Sequence, residues 1–202
     1  MFLVTLYLVV STLAEACKGD AANKCDGDNC ETVGSKQICT TCTAGNVPIN
    51  GICKAHNSGD TTAAKCKQTS GTDLAGTEKV CGQCDGAYFL YKGGCYSTAD
   101  APGNLMCTAA STGVCKTPAD GYFIPPDATK TDQSIMACND TTEITLTDGK
   151  KYKGVANCLT CTAPVSGTAG TPTAATCTKC ADGYFVDAGK ESICSACAEN
   201  CL

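Results

Sequence analysis

The residues of this sequence most able to do chemistry are its cysteines, which make up 20 of 202 residues. Cysteines in the pattern CxxC occur five times. These pairs are Cys39/Cys42, Cys81/Cys84, Cys158/Cys161, Cys177/Cys180 and Cys194/Cys197. A CxxC pair serves one of three purposes, namely structural disulfides, zinc coordination by thiolates, or a redox-active dithiol. The sequence around the pairs must decide among these three.

The N-terminus predicts export to an oxidising compartment. Residues 1–16 are predicted to be a cleaved signal peptide, because the apolar run at residues 2–10 is too short to span a bilayer and an A-x-A cleavage site follows at residues 14–16. The mature chain then begins at Cys17, and all 20 cysteines follow the cut. An even number of cysteines in an exported chain permits complete pairing into disulfides.

We therefore predict that every cysteine is part of a disulfide. If a CxxC segment is extended, its two sulfurs lie too far apart to pair with each other and must reach different partners. The connectivity itself does not follow from the sequence. The predicted disulfide cysteines are Cys17, Cys25, Cys30, Cys39, Cys42, Cys53, Cys66, Cys81, Cys84, Cys95, Cys107, Cys115, Cys138, Cys158, Cys161, Cys177, Cys180, Cys194, Cys197 and Cys201.

Zinc is the alternative for one group of cysteines. Cys158, Cys161, Cys177 and Cys180 have the C-x2-C-x15-C-x2-C spacing of a four-cysteine zinc site. Disulfides are favoured over zinc because thiols of an exported chain meet oxidant first, so zinc is kept only as the one cofactor to test. A redox dithiol normally needs a helix N-terminus inside a βαβ fold, and no such unit is visible in the sequence.

Other catalytic and binding motifs are sparse. The single histidine, His56, lies in a polar loop where a solvated side chain is expected, and the carboxylates are scattered. Residues 26–29, Asp-Gly-Asp-Asn, resemble the start of a calcium loop, but Cys30 replaces a ligand and we predict a turn. We therefore predict no catalytic residues, no enzymatic activity and no defined small-molecule ligand.

Charge and one short motif bear on partners. The net charge is -5 and the basic residues form no stripe, which argues against nucleic acid as a partner. Asn139 begins the only N-x-[ST] sequon, and we predict it as a glycosylation site in an exposed loop.

The cysteines are positioned by a repeated module. Stretches beginning at Ile38 and Val80 align without a gap, a third begins at Thr176, and a fourth has Pro118 in place of the second cysteine. In each, glycine and two aromatic residues predict a strand, and Gly93-Gly94 or residues 187–189 predict the turn of a hairpin. The predicted modules are residues 17–57, 58–100, 101–157 with a degenerate CxxC, and 158–202, the last truncated.

These features predict a small disulfide-rich fold, mainly β or irregular, built as an elongated array of tandem modules with short hairpins and few helices. In each Tyr-Phe pair, one ring is expected to cover the disulfide and the other to face a neighbouring module or water. Residues 56–64, 97–104 and 162–176 are rich in Thr, Ser, Gly, Ala and Pro, and we predict them as loops or hinges.

The motifs resemble the variant-specific surface proteins of Giardia. The resemblance lies in the short signal peptide, the many CxxC pairs, the CADGY-type segment after the second cysteine, and Gly93-Gly94-Cys95-Tyr96. It implies a cell-surface coat antigen exchanged during antigenic variation, with disulfides that resist digestion and loops recognised by host antibodies. It also implies zinc binding as a property to test, and a C-terminal membrane anchor. The sequence ends at Leu202 without that anchor, so we expect a fragment of a longer coat protein.

A second hypothesis comes from a different class of protein. Cysteine-rich modules of growth-factor receptors, the furin-like repeats, bind one defined protein ligand through a constant face. A zinc-binding surface protein is the third hypothesis. The sequence of one chain does not separate these from a variable coat.

Overall fold

The structure is a computed structural model that describes residues 16–190 and 193–198. Residues 1–15 of the predicted signal peptide and Cys201 lie outside the described residues. In the described part, the chain consists of short strands and irregular segments, with one α-helix, α1 (Gly59–Ala63). Short 3-10 turns cover Gly19–Ala22, Gly103–Leu105 and Ala188–Lys190. The predicted class, mainly β and irregular with few helices, is confirmed.

The strands of the described part are two to five residues long. In chain order they are β1 (Cys30–Val33), β2 (Lys36–Cys39), β3 (Asn46–Ile49), β4 (Ile52–Ala55), β5 (Tyr88–Tyr91), β6 (Gly94–Ser97), β7 (Cys107–Ser111), β8 (Val114–Pro118), β9 (Tyr122–Phe123), β10 (Met136–Ala137), β11 (Ile144–Thr145), β12 (Lys150–Lys153), β13 (Cys158–Thr162), β14 (Thr168–Ala169), β15 (Pro172–Ala174), β16 (Thr176–Cys180), β17 (Tyr184–Asp187) and β18 (Ile193–Ala196).

Most of these strands form local antiparallel hairpins. The pairs β3–β4, β5–β6 and β7–β8 are each joined by two residues with positive φ, and in all three the second residue is glycine. Two such residues are what a type I′ turn requires, and its twist matches that of the strands. The turn of β5–β6 is Lys92-Gly93, with φ of 41° and 74°, one residue before the predicted Gly93-Gly94.

The first two predicted modules share one sheet. Its strand order is β4-β3-β6-β5, so the hairpins β3–β4 and β5–β6 lie side by side. The two hairpins are joined by a parallel pairing in which Ile49 lies opposite Cys95. The side chain of Asn50 adds a hydrogen bond, because its Oδ1 accepts from the backbone N–H of Ser97 at 2.7 Å. One hydrogen-bonded sheet therefore contains strands from both sides of the predicted module boundary at residues 57 and 58.

The segment 162–176, predicted as a loop or hinge, contains two strands. β14 and β15 both pair with β12, which also pairs with β11. The segment packs over Tyr152: a Cβ placed on Gly167 would come within 2.5 Å of that ring, and the Tyr152 hydroxyl donates to the Pro126 carbonyl oxygen at 3.1 Å. Sequence analysis missed these strands because their small residues show no hydrophobic period. The same small residues allow the backbone to approach the ring of Tyr152 closely.

Apolar side chains are buried in several small clusters rather than one core. The largest aromatic cluster includes Phe89, Tyr91 and Tyr96 of the hairpin β5–β6, together with residues from β1, β2, β7 and β8. Tyr91 and Tyr96 meet edge to face, with ring centroids 5.8 Å apart. Residues from three predicted modules therefore stabilise one another in this cluster. In the described part of the chain, no helix is long and apolar enough to cross a membrane.

Candidate functional site

The disulfide framework is the part of the structure with the most distinctive chemistry. Nine bridges join described cysteines, with Cα–Cα distances of 5.4–6.0 Å. They are Cys17–Cys30, Cys25–Cys39, Cys42–Cys53, Cys66–Cys81, Cys84–Cys95, Cys107–Cys115, Cys138–Cys161, Cys158–Cys177 and Cys180–Cys194. Cys197 is also disulfide-bonded. None of the described cysteines is a free thiol.

Among the bridges between described cysteines, no CxxC pair is closed on itself. In the first copy, Cys39 reaches back to Cys25 and Cys42 reaches forward to Cys53. The pairs Cys81/Cys84 and Cys177/Cys180 repeat this arrangement. The pair Cys158/Cys161 differs, because Cys158 pairs forward with Cys177 and Cys161 pairs back with Cys138. Each of these four CxxC segments is therefore a staple that joins an earlier stretch of the chain to a later one.

The short spacing within CxxC also brings neighbouring disulfides into contact. The Sγ atoms of Cys39 and Cys53, from two different bridges, lie 3.4 Å apart. The Sγ atoms of Cys177 and Cys194 show the same separation. Cysteine sulfur is apolar and polarisable, so paired bridges form small buried clusters where large hydrophobic side chains are few. The cluster Cys39, Cys42 and Cys53 is an example.

The four cysteines with zinc-site spacing do come together in the structure. β13 and β16 are paired, which places Cys158 opposite Cys180 and Cys161 opposite Cys177. Their sulfurs are held in three disulfides, two of which lead out of the quartet to Cys138 and Cys194. Zinc binds cysteine as thiolate, so this quartet binds zinc only after those bridges are reduced.

His56 is less exposed than the sequence indicated. Its ring is half-buried and its Nδ1 lies 3.3 Å from the carbonyl oxygen of Gly45. The adjoining cleft includes Thr61, Lys65 and Cys66, and that cysteine is bonded to Cys81. The predicted turn at residues 26–29 is present, and its first carboxylate, Asp26, accepts a hydrogen bond from Lys79 Nζ at 2.6 Å. His56 and Asp26 therefore each contact a part of the chain that is distant in sequence, namely Gly45 and Lys79.

A polar cluster that sequence analysis missed connects three predicted modules. Lys92, in the turn of β5–β6, forms ion pairs with Glu31 of β1 and with Asp140, where the distance is 2.8 Å. The Tyr91 hydroxyl donates to Glu31 at 3.3 Å. The side chains of Lys92 and Asp140 are only 21% and 14% exposed. No local sequence signal reveals this cluster, because its members are far apart in the chain.

Burial and charge act in opposite directions on this cluster. Burial raises the pKa of the Asp140 carboxyl, but hydrogen bonds from Lys92 and from the backbone N–H of Thr142 outweigh burial, so the net pKa is lowered. Burial lowers the pKa of Lys92, but its hydrogen bonds to Asp140 and Glu31 outweigh that effect and raise it. Burial, followed by the charge of Glu31, raises the pKa of Tyr91. Both ions of the pair are therefore stabilised in the folded protein.

We expect Lys92→Met to destabilise the protein by about 1–2 kcal/mol, between the values for exposed and buried pairs, because it leaves Asp140 without its partner. The lowered pKa of Asp140 stabilises the wild type above about pH 3.9, the usual value for aspartate, and this contribution is lost as pH falls through the folded value. Urea unfolding between pH 2.5 and about 7 measures both effects.

The control for that prediction is Lys54→Met. Lys54 pairs with Asp60 at 2.8 Å, but both side chains are exposed, so the loss should stay below about 0.5 kcal/mol. Equal losses in the two variants would show that Lys92 does not hold the modules together. An unchanged acid transition in Lys92→Met would show that the pair does not set the pKa of Asp140.

The predicted glycosylation residue, Asn139, lies beside this cluster. It is exposed in a turn that follows β10 and is flanked by Cys138, which is buried, and Asp140. Thr141, the third residue of the sequon, is exposed too. The sequon is therefore accessible to a transferase in the folded chain.

Comparison with known proteins gives a consistent result over the whole chain. A family model described as Giardia variant-specific surface protein matches residues 9–201. The chain is similar to variant-specific surface protein VSP4A1 of Giardia intestinalis, at 40% identity over 207 residues covering 100% of the chain and 28% of that protein. It is also similar to major surface-labeled trophozoite antigen 417 of Giardia intestinalis, at 35% identity over 198 residues covering 93% of the chain and 26% of that protein.

The chain thus spans just over a quarter of the length of these curated relatives. No solved structure matches it.

Proposed function

Because the chain belongs to the Giardia variant-specific surface protein family, a family of surface antigens, we propose that it is a non-enzymatic coat antigen that takes part in antigenic variation and protects the cell surface. It reaches the surface through the secretory pathway, directed by the signal peptide at residues 1–16. The observation that carries the proposal is the family match along the chain, together with a disulfide at every described cysteine.

The disulfide framework supports the protective role. Each bridge stabilises the folded chain by roughly 2–4 kcal/mol, and the bridges are distributed through every predicted module. Proteases cut segments that open from the native state, and stapled segments open rarely. A chain with nine described bridges and small apolar clusters suits a surface exposed to digestive enzymes.

The exposed loops are the proposed contacts for host antibodies. The segment around Val165, which is fully exposed, and the turn at Ser70 and Thr72 project from the disulfide clusters. Substitutions of side chains as exposed as those of Val165, Ser70 and Thr72 cost little stability. A coat can therefore change its antigenic surface there while it keeps the disulfide framework.

The experiment is live staining of Giardia trophozoites with antibodies raised against the folded chain. We expect uniform surface staining in a freshly cloned positive line and a growing fraction of negative cells over subsequent generations. Staining that stays constant in every cell would contradict a variable coat, and would favour the hypothesis of a growth-factor-receptor-like module with one protein ligand.

A second prediction concerns the oxidation state and zinc. We expect the secreted protein to gain the mass of one hydrogen for each of its 20 cysteines on full reduction, and to carry no stoichiometric zinc by native mass spectrometry. The bridges of the quartet Cys158, Cys161, Cys177 and Cys180 remove the thiolates that zinc needs. Free thiols together with one zinc ion would instead establish the zinc-binding hypothesis.

Glycosylation is tested on the same material. We expect Asn139→Gln to remove one N-linked glycan without changing the disulfide count, because the side chain is exposed and outside every cluster. Equal masses of the wild type and the variant, after allowance for the substitution, would show that the sequon is unused.

A further inference from the structure

The last hairpin of the described chain has one face packed and one face open. In β17–β18, Val186 and Cys194 lie opposite each other and pack against the disulfide cluster of Cys158, Cys177 and Cys180. Phe185 and Ile193 belong to the cross-strand pairs on either side of this one, so they share the other face with their partners Ser195 and Asp187. The Ser195 hydroxyl donates to Asp187 Oδ2 at 3.2 Å. Their exposed fractions are 44% and 40%. We call the surface formed by Phe185 and Ile193 the terminal hairpin face.

The equivalent face of the hairpin β5–β6 is fully covered. Phe89 and Phe185 each lie five positions after the second cysteine of a CxxC pair, Cys84 or Cys180. Each is the second residue of the first strand of its hairpin. In β5–β6, Leu90 and Cys95 take the packed face, as Val186 and Cys194 do in β17–β18. Phe89, by contrast, is 0% exposed.

The residues that cover Phe89 come partly from later in the chain. Its cluster contains Met106, Cys107, Cys115 and Ile135, all from the predicted module that follows. In the degenerate module, Phe123 stands at the same position of the ADGYF segment and is 2% exposed. Its cluster is again supplied from downstream.

The cover of Phe123 consists of Met136, Leu146, Tyr152 and Ala175. Two of the three repeats that contain this phenylalanine therefore bury it with apolar residues of the segment that follows. Phe185 is the third, and it has no equivalent cover among the described residues.

A groove adjoins the terminal hairpin face at Ile193, and Cys194 also lines it, whereas Phe185 does not. It is lined by Ile193, Val155, Ala156 and Ala174 and has a volume of about 280 Å³. Its lining is largely apolar, so a side chain that fills it would gain free energy by leaving water.

We propose that the terminal hairpin face is the docking surface for a further cysteine-rich module that follows it in the same polypeptide. That module covers Phe185 with methionine, isoleucine or tyrosine side chains, as the downstream residues cover Phe89 and Phe123. The matched stretch makes up 28% and 26% of the two curated relatives, so most of each relative lies outside it. The inference is independent of the proposed coat function.

A downstream module is favoured over a second copy of the chain by tethering. A short linker holds the module at an effective concentration in the millimolar range, whereas separate copies must meet at their actual concentration. The two covered repeats follow this tethered arrangement, because their cover lies in the same chain.

The first test is hydroxyl-radical footprinting of the full-length protein released from trophozoites, compared with a purified short chain of residues 17–202. In the short chain, Phe185 should react far faster than Phe89. In the full-length protein, its reactivity should fall to the level of Phe89, while Val165 stays fully reactive in both. Unchanged reactivity of Phe185 in the full-length protein, or a gene that encodes no further module, would overturn the proposal.

The second test separates a module from a second copy. Sedimentation of the chain of residues 17–202 over a hundredfold range of concentration should show a monomer, and Phe185→Ser should behave identically. A dimer that Phe185→Ser dissociates would assign the surface to self-association and overturn the proposal. In the full-length protein, Phe185→Ser should restore fast labelling of Ile193, whereas Leu159→Ser, at an exposed residue outside the face, should not.

Discussion

Replacing Phe89 with alanine is expected to destabilise the protein by about 3–5 kcal/mol, the usual cost of truncating a buried phenylalanine. Phe89 is fully buried and lies opposite Tyr96 in the hairpin β5–β6, with ring centroids 6.1 Å apart. Its cluster unites residues of the first three predicted modules, so the cavity would loosen all of them. The shift of the urea unfolding midpoint at constant m-value measures the loss.

The matched control is Phe185→Ala, at the equivalent position of the last hairpin. Because Phe185 is partly exposed and lacks the downstream cover, its truncation in the chain of residues 17–202 should cost less than about 1 kcal/mol. Similar losses in both variants would mean that the cluster around Phe89 does not join the modules, or that Phe185 is buried in solution.

Removing the bridge Cys84–Cys95 by a double substitution to alanine is the second change with a large effect. It closes the hairpin β5–β6 onto the CxxC segment with a sequence separation of 11, which gives about 3 kcal/mol from chain entropy. Both cysteines are fully buried beside Cys66 and Cys81, so the lost sulfurs also leave a cavity. We expect a total loss of about 4–5 kcal/mol.

The comparison for this prediction is the double alanine variant of Cys17 and Cys30. Their separation of 13 gives nearly the same chain-entropy contribution, but both residues are only half-buried. This variant should therefore lose about 3 kcal/mol. A smaller loss for the buried bridge than for Cys17–Cys30 would contradict the importance of sulfur packing. Double substitution is essential, since a single one leaves a thiol that can exchange with other bridges.

Local features of the fold were predictable from the sequence. The hairpins follow from glycine at the turns, because Gly51, Gly93 and Gly113 take a positive φ that few other residues accept without strain. The placement of a CxxC pair before the hairpins β3–β4, β5–β6 and β17–β18 was also visible, since spacing along the chain is a property of the sequence. The signal peptide remains a prediction, because residues 1–15 lie outside the described part.

The connections between modules were not predictable in the same way. The parallel pairing of β3 with β6 and the ion pairs of Lys92 join residues that are distant in sequence, and each uses residue types that are common elsewhere in the chain. The disulfide partners were likewise not predictable, since 20 cysteines permit very many pairings. Only the folded chain shows which cysteines lie within bonding distance.

The sequence by itself therefore determined the class of protein, the repeat, the hairpins and the resemblance to a surface antigen family, since composition and short-range spacing carry all of these. The tertiary structure decided which sulfurs pair, which aromatic rings are buried and where the modules meet. The physical reason is that turns depend on neighbouring residues, whereas burial of Phe89 and exposure of Phe185 depend on whether a later segment folds over them.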